Sequence, residues 1–78
     1  MKELIEYVAR SLVDDPTQVR VQQRKRGENA ELNLHVAKED MGRVIGRNGR
    51  VANAIRLLLQ VAAARDGKRA FLRISEPH

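Results

Sequence analysis

The spacing of apolar and polar residues changes along the chain, and each change marks a predicted element. The first segment carries apolar residues at helical intervals, which predicts an amphipathic helix over residues 2–13. Its apolar positions are Leu4, Ile5, Val8, Leu12 and Val13. Asp14-Asp15-Pro16 ends the helix, because the residue before a proline avoids the α-helical region.

Strict alternation of apolar and polar residues predicts three strands. The first spans residues 18–25 and the second spans 30–36, with a turn at Gly27-Glu28-Asn29 between them. This pair is typical of a hairpin with a basic tip at Arg24-Lys25-Arg26. The third strand covers residues 69–74 near the end of the chain.

Two helices are predicted between the second and third strands. Lys38-Glu39-Asp40 begins a short helix that runs through Ile45, and a longer helix covers about 49–65. The long helix ends at Asp66-Gly67-Lys68, where a glycine follows the last turn. Its predicted core stripe consists of Val51, Ala54, Ile55, Leu58, Leu59 and Ala62.

A second apolar stripe on the long helix adjoins the first and consists of Leu57, Val61 and Ala64. Together the two stripes make an apolar arc wider than a small sheet needs. One interpretation is a helix that is well buried, or scattered exposed apolar side chains. The other is a self-complementary dimer contact or a docking face for a partner domain.

The order helix, strand, strand, helix, helix, strand predicts an α+β fold. A helical crossover between the second and third strands normally makes them parallel. We therefore expect a three-stranded mixed sheet with all helices on one face. The predicted organisation is one domain over residues 1–78, with residues 76–78 as a short tail.

The charge of the chain is +5 and is unevenly distributed. Residues 17–78 hold thirteen basic and six acidic side chains, whereas residues 1–16 hold two basic and four acidic ones. A positive field of this kind favours phosphate-bearing ligands. The chain has no cysteine, no recognisable signal peptide and no long apolar run, so we expect a cytoplasmic protein that does not span a membrane.

The segment from Val44 to Val51 contains a pair of glycines, Gly46 and Gly49, around Arg47 and Asn48. Glycine lets a backbone approach a phosphate closely, because no Cβ intervenes. Gly49 also begins the long helix, where unpaired N–H groups attract anions. Arg43 and Arg50 flank the pair, which predicts a binding site for a polyanion backbone.

Two helices joined by Gly-x-x-Gly, with Val44-Ile45 before and Val51-x-x-x-Ile55 after, resemble the signature of the KH domain. The extra helix and strand at the start resemble the type II arrangement. The length of the chain and residues 11–16 are similar to the small single-domain bacterial KH proteins of the KhpA (YlqC-like) family. The similarity covers nearly the whole chain.

The resemblance implies binding of single-stranded RNA in a narrow groove that fits about four nucleotides. Gly46 to Gly49 would clamp the sugar-phosphate backbone, with Arg47 and Asn48 facing it. Asn48 stands where the family more often has a second basic residue. The remaining implied positions are Val44, Ile45 and Val51 in the apolar floor or its support, Leu34, Val36 and Ala37 in the opposite wall, and Arg24, Lys25 and Arg26 in a flanking loop.

The resemblance also implies partners and a cellular role. Proteins of this family pair with a larger KH-domain protein (KhpB, also called Jag or EloR), and the two are viewed as RNA chaperones linked to cell-wall growth and cell length. A homodimer or this heterodimer is therefore expected. The scarcity of aromatic residues argues against base-stacking platforms but not against a KH groove.

Two alternatives to RNA binding come from other classes of protein. One is a KH-shaped scaffold for protein interactions, and the other is a helix-turn-helix DNA binder with residues 49–65 as the recognition helix. No enzyme is predicted, because the loop lacks the Gly-Lys-Ser/Thr ending of a nucleotide-binding loop and no serine or threonine has a nucleophile motif. No cofactor, small-molecule substrate or metal site is expected, and His35 has no second ligand nearby in sequence.

Overall fold

A computed structural model describes residues 1–75, and its elements follow the predicted order. The helices and strands are α1 (Lys2–Leu12), β1 (Arg20–Arg26), β2 (Asn29–His35), α2 (Met41–Ile45), α3 (Arg50–Arg65) and β3 (Arg69–Ser75). Short 3-10 turns at Pro16–Gln18, Lys38–Asp40 and Arg47–Gly49 join them. The predicted tail, residues 76–78, lies outside the described residues.

The sheet is three-stranded and mixed, with β2 in the centre. β1 pairs antiparallel with β2, and β3 pairs parallel with β2. The parallel pair results from the crossover through α2 and α3, as the chain order predicts. The predicted α+β architecture, in the helix and strand order of a type II KH domain, is therefore confirmed.

The hydrophobic core lies between one face of the sheet and the helices. Leu32 and Leu34 of β2 project into it from the central strand, and Ile5 of α1 and Leu59 of α3 cover them. All four side chains are at most 1% exposed. Alternate residues of each strand therefore face the helices, and the residues between them face away from the core.

The face that α3 turns toward the core differs from the predicted stripe. The buried positions are Ala52, Ile55, Leu59 and Ala63. Ala54 is exposed and Leu58 is 51% exposed, so their assignment to the core is wrong. Three consecutive leucines at 57–59 leave the rotation of the helix ambiguous in sequence. The folded helix instead turns the small residues Ala52 and Ala63 toward the core.

The predicted hairpin is confirmed, but the placement of Arg24, Lys25 and Arg26 in a flanking loop is wrong. Cross-strand pairing continues to Arg26 and Asn29, so Arg24, Lys25 and Arg26 belong to β1 and only two residues form the turn. These side chains remain exposed, but they line an edge strand rather than a flanking loop. No helix within residues 1–75 combines the length and apolar character that crossing a bilayer requires.

Candidate nucleic-acid interface

The glycine loop between α2 and α3 is closed by its own backbone hydrogen bonds. Gly46 N–H donates to the Gly42 carbonyl at 2.8 Å, and Gly49 N–H donates to the Gly46 carbonyl at 3.1 Å. The Arg50 N–H bonds the Arg47 carbonyl at the start of α3. The loop therefore has a defined conformation before any ligand arrives.

These bonds move the predicted anion-binding donors by two residues. The sequence places open N–H groups at the start of the long helix, but the amides of Gly49 and Arg50 are already used. Within residues 1–75, no comparable hydrogen bond engages the amides of Arg47 and Asn48. Both residues are exposed and their N–H groups have no backbone acceptor among the described bonds, which makes them the candidate donors of the loop.

Gly46 is required by the local packing as well as by its backbone angles. Its φ is +75°, in a region that side chains rarely adopt. A Cβ at this position would lie 2.8 Å from the Val51 backbone nitrogen and 2.9 Å from the Val51 Cβ. The first turn of α3 therefore packs directly on the Gly46 backbone, which fixes the loop against the helix.

Asn48 has a left-handed backbone conformation, with φ 58° and ψ 26°. Asparagine is among the few non-glycine residues that are enriched in this region. Asparagine at this position accommodates the left-handed backbone, whereas a basic side chain would add positive charge to the loop. The backbone angles therefore give a physical reason for asparagine at this position.

A buried carboxylate fixes the start of α2, and sequence reasoning missed it. Asp40 is 2% exposed, and its carboxylate oxygens accept the N–H groups of Asp14 and Asp15, each at 3.1 Å. The Arg43 Nε lies 3.4 Å from the same carboxylate. The turn after α1 is thus tied to the helix that leads into the glycine loop. No local sequence pattern indicates this contact, because the two donors are backbone N–H groups 25 and 26 residues away from Asp40.

Arg43 is consequently not a free cation beside the loop. Its Nη2 also lies 2.8 Å from the Asp14 carboxylate, so two acids, Asp14 after α1 and Asp40 just before α2, face its guanidinium. No acid lies between Arg43 and Arg65 in the sequence, but in the folded chain acids from before this segment lie beside Arg43. Arg47 and Arg50 form no ion pair within 4.0 Å among residues 1–75, so they carry the positive charge of the loop.

The predicted groove residues divide into buried and accessible ones. Leu34, Val36 and Val44 are 0% exposed, so their side chains support the region from within the core and do not meet a ligand. Ile45 is exposed, and Ala37 lies at the edge of burial. Val51, the sixth of these predicted positions, is half-buried, so among the six it is Ile45 that presents an exposed apolar surface next to the loop.

The second apolar stripe of α3 faces outward. Leu57 and Val61 of this stripe are each more than half exposed, and Ala64 is exposed as well. Leu58 and Ala54, which belong to the predicted core stripe, are also exposed and lie on the same face. We call these five residues the α3 outer stripe. They follow the helical spacing of an interface-forming face and have no covering element within residues 1–75.

No metal site is formed by the described residues. No group of three histidine, cysteine, aspartate or glutamate side chains within residues 1–75 is arranged to hold an ion. The His35 Nδ1 instead lies 3.1 Å from the Ser75 Oγ, in a hydrogen bond that links β2 to β3.

Comparison with known proteins places this geometry in context. A family model described as "KhpA/KhpB, KH domain" matches residues 2–74. A Treponema pallidum protein named RNA-binding protein KhpA is 49% identical over 74 residues, which cover 94% of this chain and 91% of that protein. The protein of the same name from Clostridium acetobutylicum is 46% identical over 74 residues, which cover 95% and 99%.

A similar fold occurs in a solved structure of an RNA complex. It is the crystal structure of Era in complex with MgGDPNP and nucleotides 1506–1542 of 16S ribosomal RNA. The match has a TM-score of 0.59 and 19% sequence identity, and it covers 96% of this chain and 29% of that chain. At this identity the similarity concerns the fold alone.

Proposed function

Because the chain belongs to the KhpA/KhpB family of KH-domain proteins, as its sequence predicts, we propose that it binds single-stranded RNA through the glycine loop, Gly46 to Gly49. The observation that carries the proposal is the pair of open amides at Arg47 and Asn48, beside a glycine that cannot bear a side chain. A phosphate can approach such a backbone closely and accept both N–H groups. The curated relatives are named for RNA binding, which agrees with this ligand class.

The charges around the loop suit a flexible phosphate chain. Arg47 and Arg50 are exposed and attract the backbone without reading the bases. Ile45 offers adjoining apolar surface to an unpaired strand of about four nucleotides, the length that a KH groove accommodates. Affinity from these few contacts is weak and salt-dependent.

The α3 outer stripe gives the proposal a second part, which is self-association. Two antiparallel copies of α3 would place Ala54 against Ala64 and Leu57 against Val61. Large residues then meet near the centre and small residues meet at both ends, so one surface complements itself across a two-fold axis. A dimer carries two loops, and two weak sites on one particle raise the overall affinity.

The finer cellular role follows from the family resemblance. We propose a cytoplasmic, non-enzymatic RNA chaperone that uses no cofactor and acts with a larger KH-domain partner of the KhpB/Jag/EloR type in cell-wall growth and cell-length control. Weak, reversible loop contacts suit a chaperone, because it must release RNA after remodelling it. The partner's KH domain would compete with a second copy for the α3 outer stripe.

The test combines Arg47→Asp with Asn48→Asp, since aspartate tolerates the left-handed conformation of position 48. Lys2→Asp with Gln18→Asp is the matched control, because both positions are exposed and the change in charge is the same. Binding to a fluorescent single-stranded RNA of 15 nucleotides, and to duplex DNA of equal length, is measured by anisotropy at two salt concentrations.

We expect the loop variant to lose at least about tenfold in RNA affinity and the control to lose much less. Unchanged RNA binding by a folded loop variant would reject the clamp, whereas no measurable RNA binding by the parent chain would favour the scaffold alternative. Tighter binding to duplex DNA than to RNA would instead favour the helix-turn-helix alternative.

A further inference from the structure

The sheet has an outer face that no helix covers among residues 1–75. The strand registers align Arg24, Glu31 and Phe71 in one row and Gln22, Asn33 and Arg73 in the next. Both rows alternate with the core-facing rows, so their side chains point away from the helices. The outermost rows are Arg26, Asn29 and Arg69 at one end and Arg20, His35 and Ser75 at the other.

The charge of this outer face is one-sided. Its twelve positions include five arginines and a single acid, Glu31. All five arginines are exposed, and none forms an ion pair within 4.0 Å among residues 1–75. A solvated sheet face needs polar residues, but it does not need a single sign of charge. The imbalance therefore indicates an anionic ligand.

An aromatic ring lies among these charges. Phe71 is 54% exposed at the middle of β3, flanked by Arg69 and Arg73 on the same face. It borders an open groove of about 700 Å³ that Arg24, Asn33 and Arg73 also line. Such a volume is within the range of pockets that hold small organic ligands.

This combination of groups matches the chemistry of an unpaired nucleotide. A base can stack on the Phe71 ring, because every base has an aromatic face. Arginines on both sides can hold the adjoining phosphates, and Asn33 and Gln22 supply donors and acceptors for base edges. A duplex cannot use the ring, since its bases are stacked on one another. The occupant is therefore single-stranded.

From these observations we infer that the outer sheet face is a second binding surface for single-stranded RNA, separate from the glycine loop. The inference rests on the proposed function only for the class of ligand, because none of the twelve positions belongs to the loop. An RNA that is longer than the roughly four nucleotides held by a KH groove would contact both surfaces. The loop would hold the backbone, and the ring would add a base contact.

The test compares RNAs of 4 and 15 nucleotides on the full chain. Four nucleotides fill a KH groove, whereas 15 nucleotides at roughly 3.4 Å each exceed the 35 Å long axis of the molecule. The variants are Phe71→Ala, Arg73→Ala and Glu31→Gln. Tyr7→Ala is the matched control, because Tyr7 is 73% exposed and lies on α1.

Phe71→Ala and Arg73→Ala should each weaken binding of the 15-nucleotide RNA about five- to tenfold and leave the 4-nucleotide RNA unaffected. Glu31→Gln should strengthen binding of the longer RNA about two- to threefold, because it removes the only acid of the face. An increase in affinity cannot be caused by misfolding. This third variant therefore keeps the test valid if Phe71→Ala is unstable.

Equal affinity of all three variants and Tyr7→Ala for the longer RNA would overturn the inference, and the face would then be solvated or serve a protein partner. The loop variant Arg47→Asp, Asn48→Asp separates this failure from failure of the proposed function. If only the loop variant loses RNA binding, the second surface is rejected and the clamp stands. If only the sheet variants lose it, the clamp is rejected and the outer face stands.

Discussion

Val51 occupies the space into which a side chain at Gly46 would project, since a Cβ on Gly46 would lie 2.8 Å from the Val51 nitrogen and 2.9 Å from its Cβ. Gly46→Ala should therefore lower the free energy of unfolding by about 2–4 kcal/mol, because a side chain is strained at this positive φ and overpacks against Val51. Chemical denaturation measures this loss.

Gly42→Ala is the matched control for that variant. Gly42 lies four residues earlier in α2, and a Cβ there meets nothing within 4 Å. Alanine should raise the free energy of unfolding by about 0.5–1 kcal/mol, because glycine is unfavourable inside a helix. Equal effects of the two substitutions would contradict the packing of Gly46 on Val51.

Asn48 should respond to substitution according to backbone conformation rather than side-chain size. With φ at 58°, Asn48→Gly should leave stability unchanged within about 0.5 kcal/mol, whereas Asn48→Val should cost about 1–2 kcal/mol. Thermal unfolding of the two variants provides the comparison. A valine variant as stable as the glycine variant would show that the position is not left-handed in solution.

Asp40 should be the acid whose removal is most destabilising within the described residues. Asp40→Ala leaves the N–H groups of Asp14 and Asp15 without their acceptor and should cost about 2–3 kcal/mol. Glu39→Ala, at the exposed neighbouring position, should change stability by less than about 0.5 kcal/mol. Similar losses for the two variants would mean that Asp40 does not tie α1 to α2.

The α3 outer stripe should govern oligomeric state. Val61→Asp places a charge at the centre of the proposed contact and should yield a monomer in sedimentation equilibrium, whereas the parent associates. Tyr7→Asp introduces the same charge at an exposed site on α1 and should leave association unchanged. A parent chain that stays monomeric at high concentration would reject the self-association proposal. Binding of the α3 outer stripe to a larger KH-domain partner would then be the next interaction to test.

The sequence predicted the elements and their order because alternation and helical spacing are local signals. Strands with Leu32 and Leu34 at every second position can bury only one face, so their orientation followed directly. The rotation of α3 did not follow, because Leu57, Leu58 and Leu59 are equally apolar. Only packing against the sheet determines which of them is buried.

The candidate site was predictable in outline and not in its details. The two glycines indicated the loop, but pairing of the Gly49 and Arg50 amides depends on the exact path of the backbone. The ion pairs of Arg43 did not follow from the sequence, because Asp14 lies in a distant turn and only the fold aims the Asp40 carboxylate at the same guanidinium. The basic outer face required the strand registers, which no single segment reveals.

The amide signals of Arg47 and Asn48 test the proposed clamp most directly. In a nitrogen-labelled sample titrated with a 4-nucleotide RNA, these two amides should show the largest chemical-shift changes and gain protection from hydrogen exchange. The Gly49 and Arg50 amides should change less, since they are bonded in the free protein. RNA binding that shifts other amides while those of Arg47 and Asn48 stay in place would contradict the account.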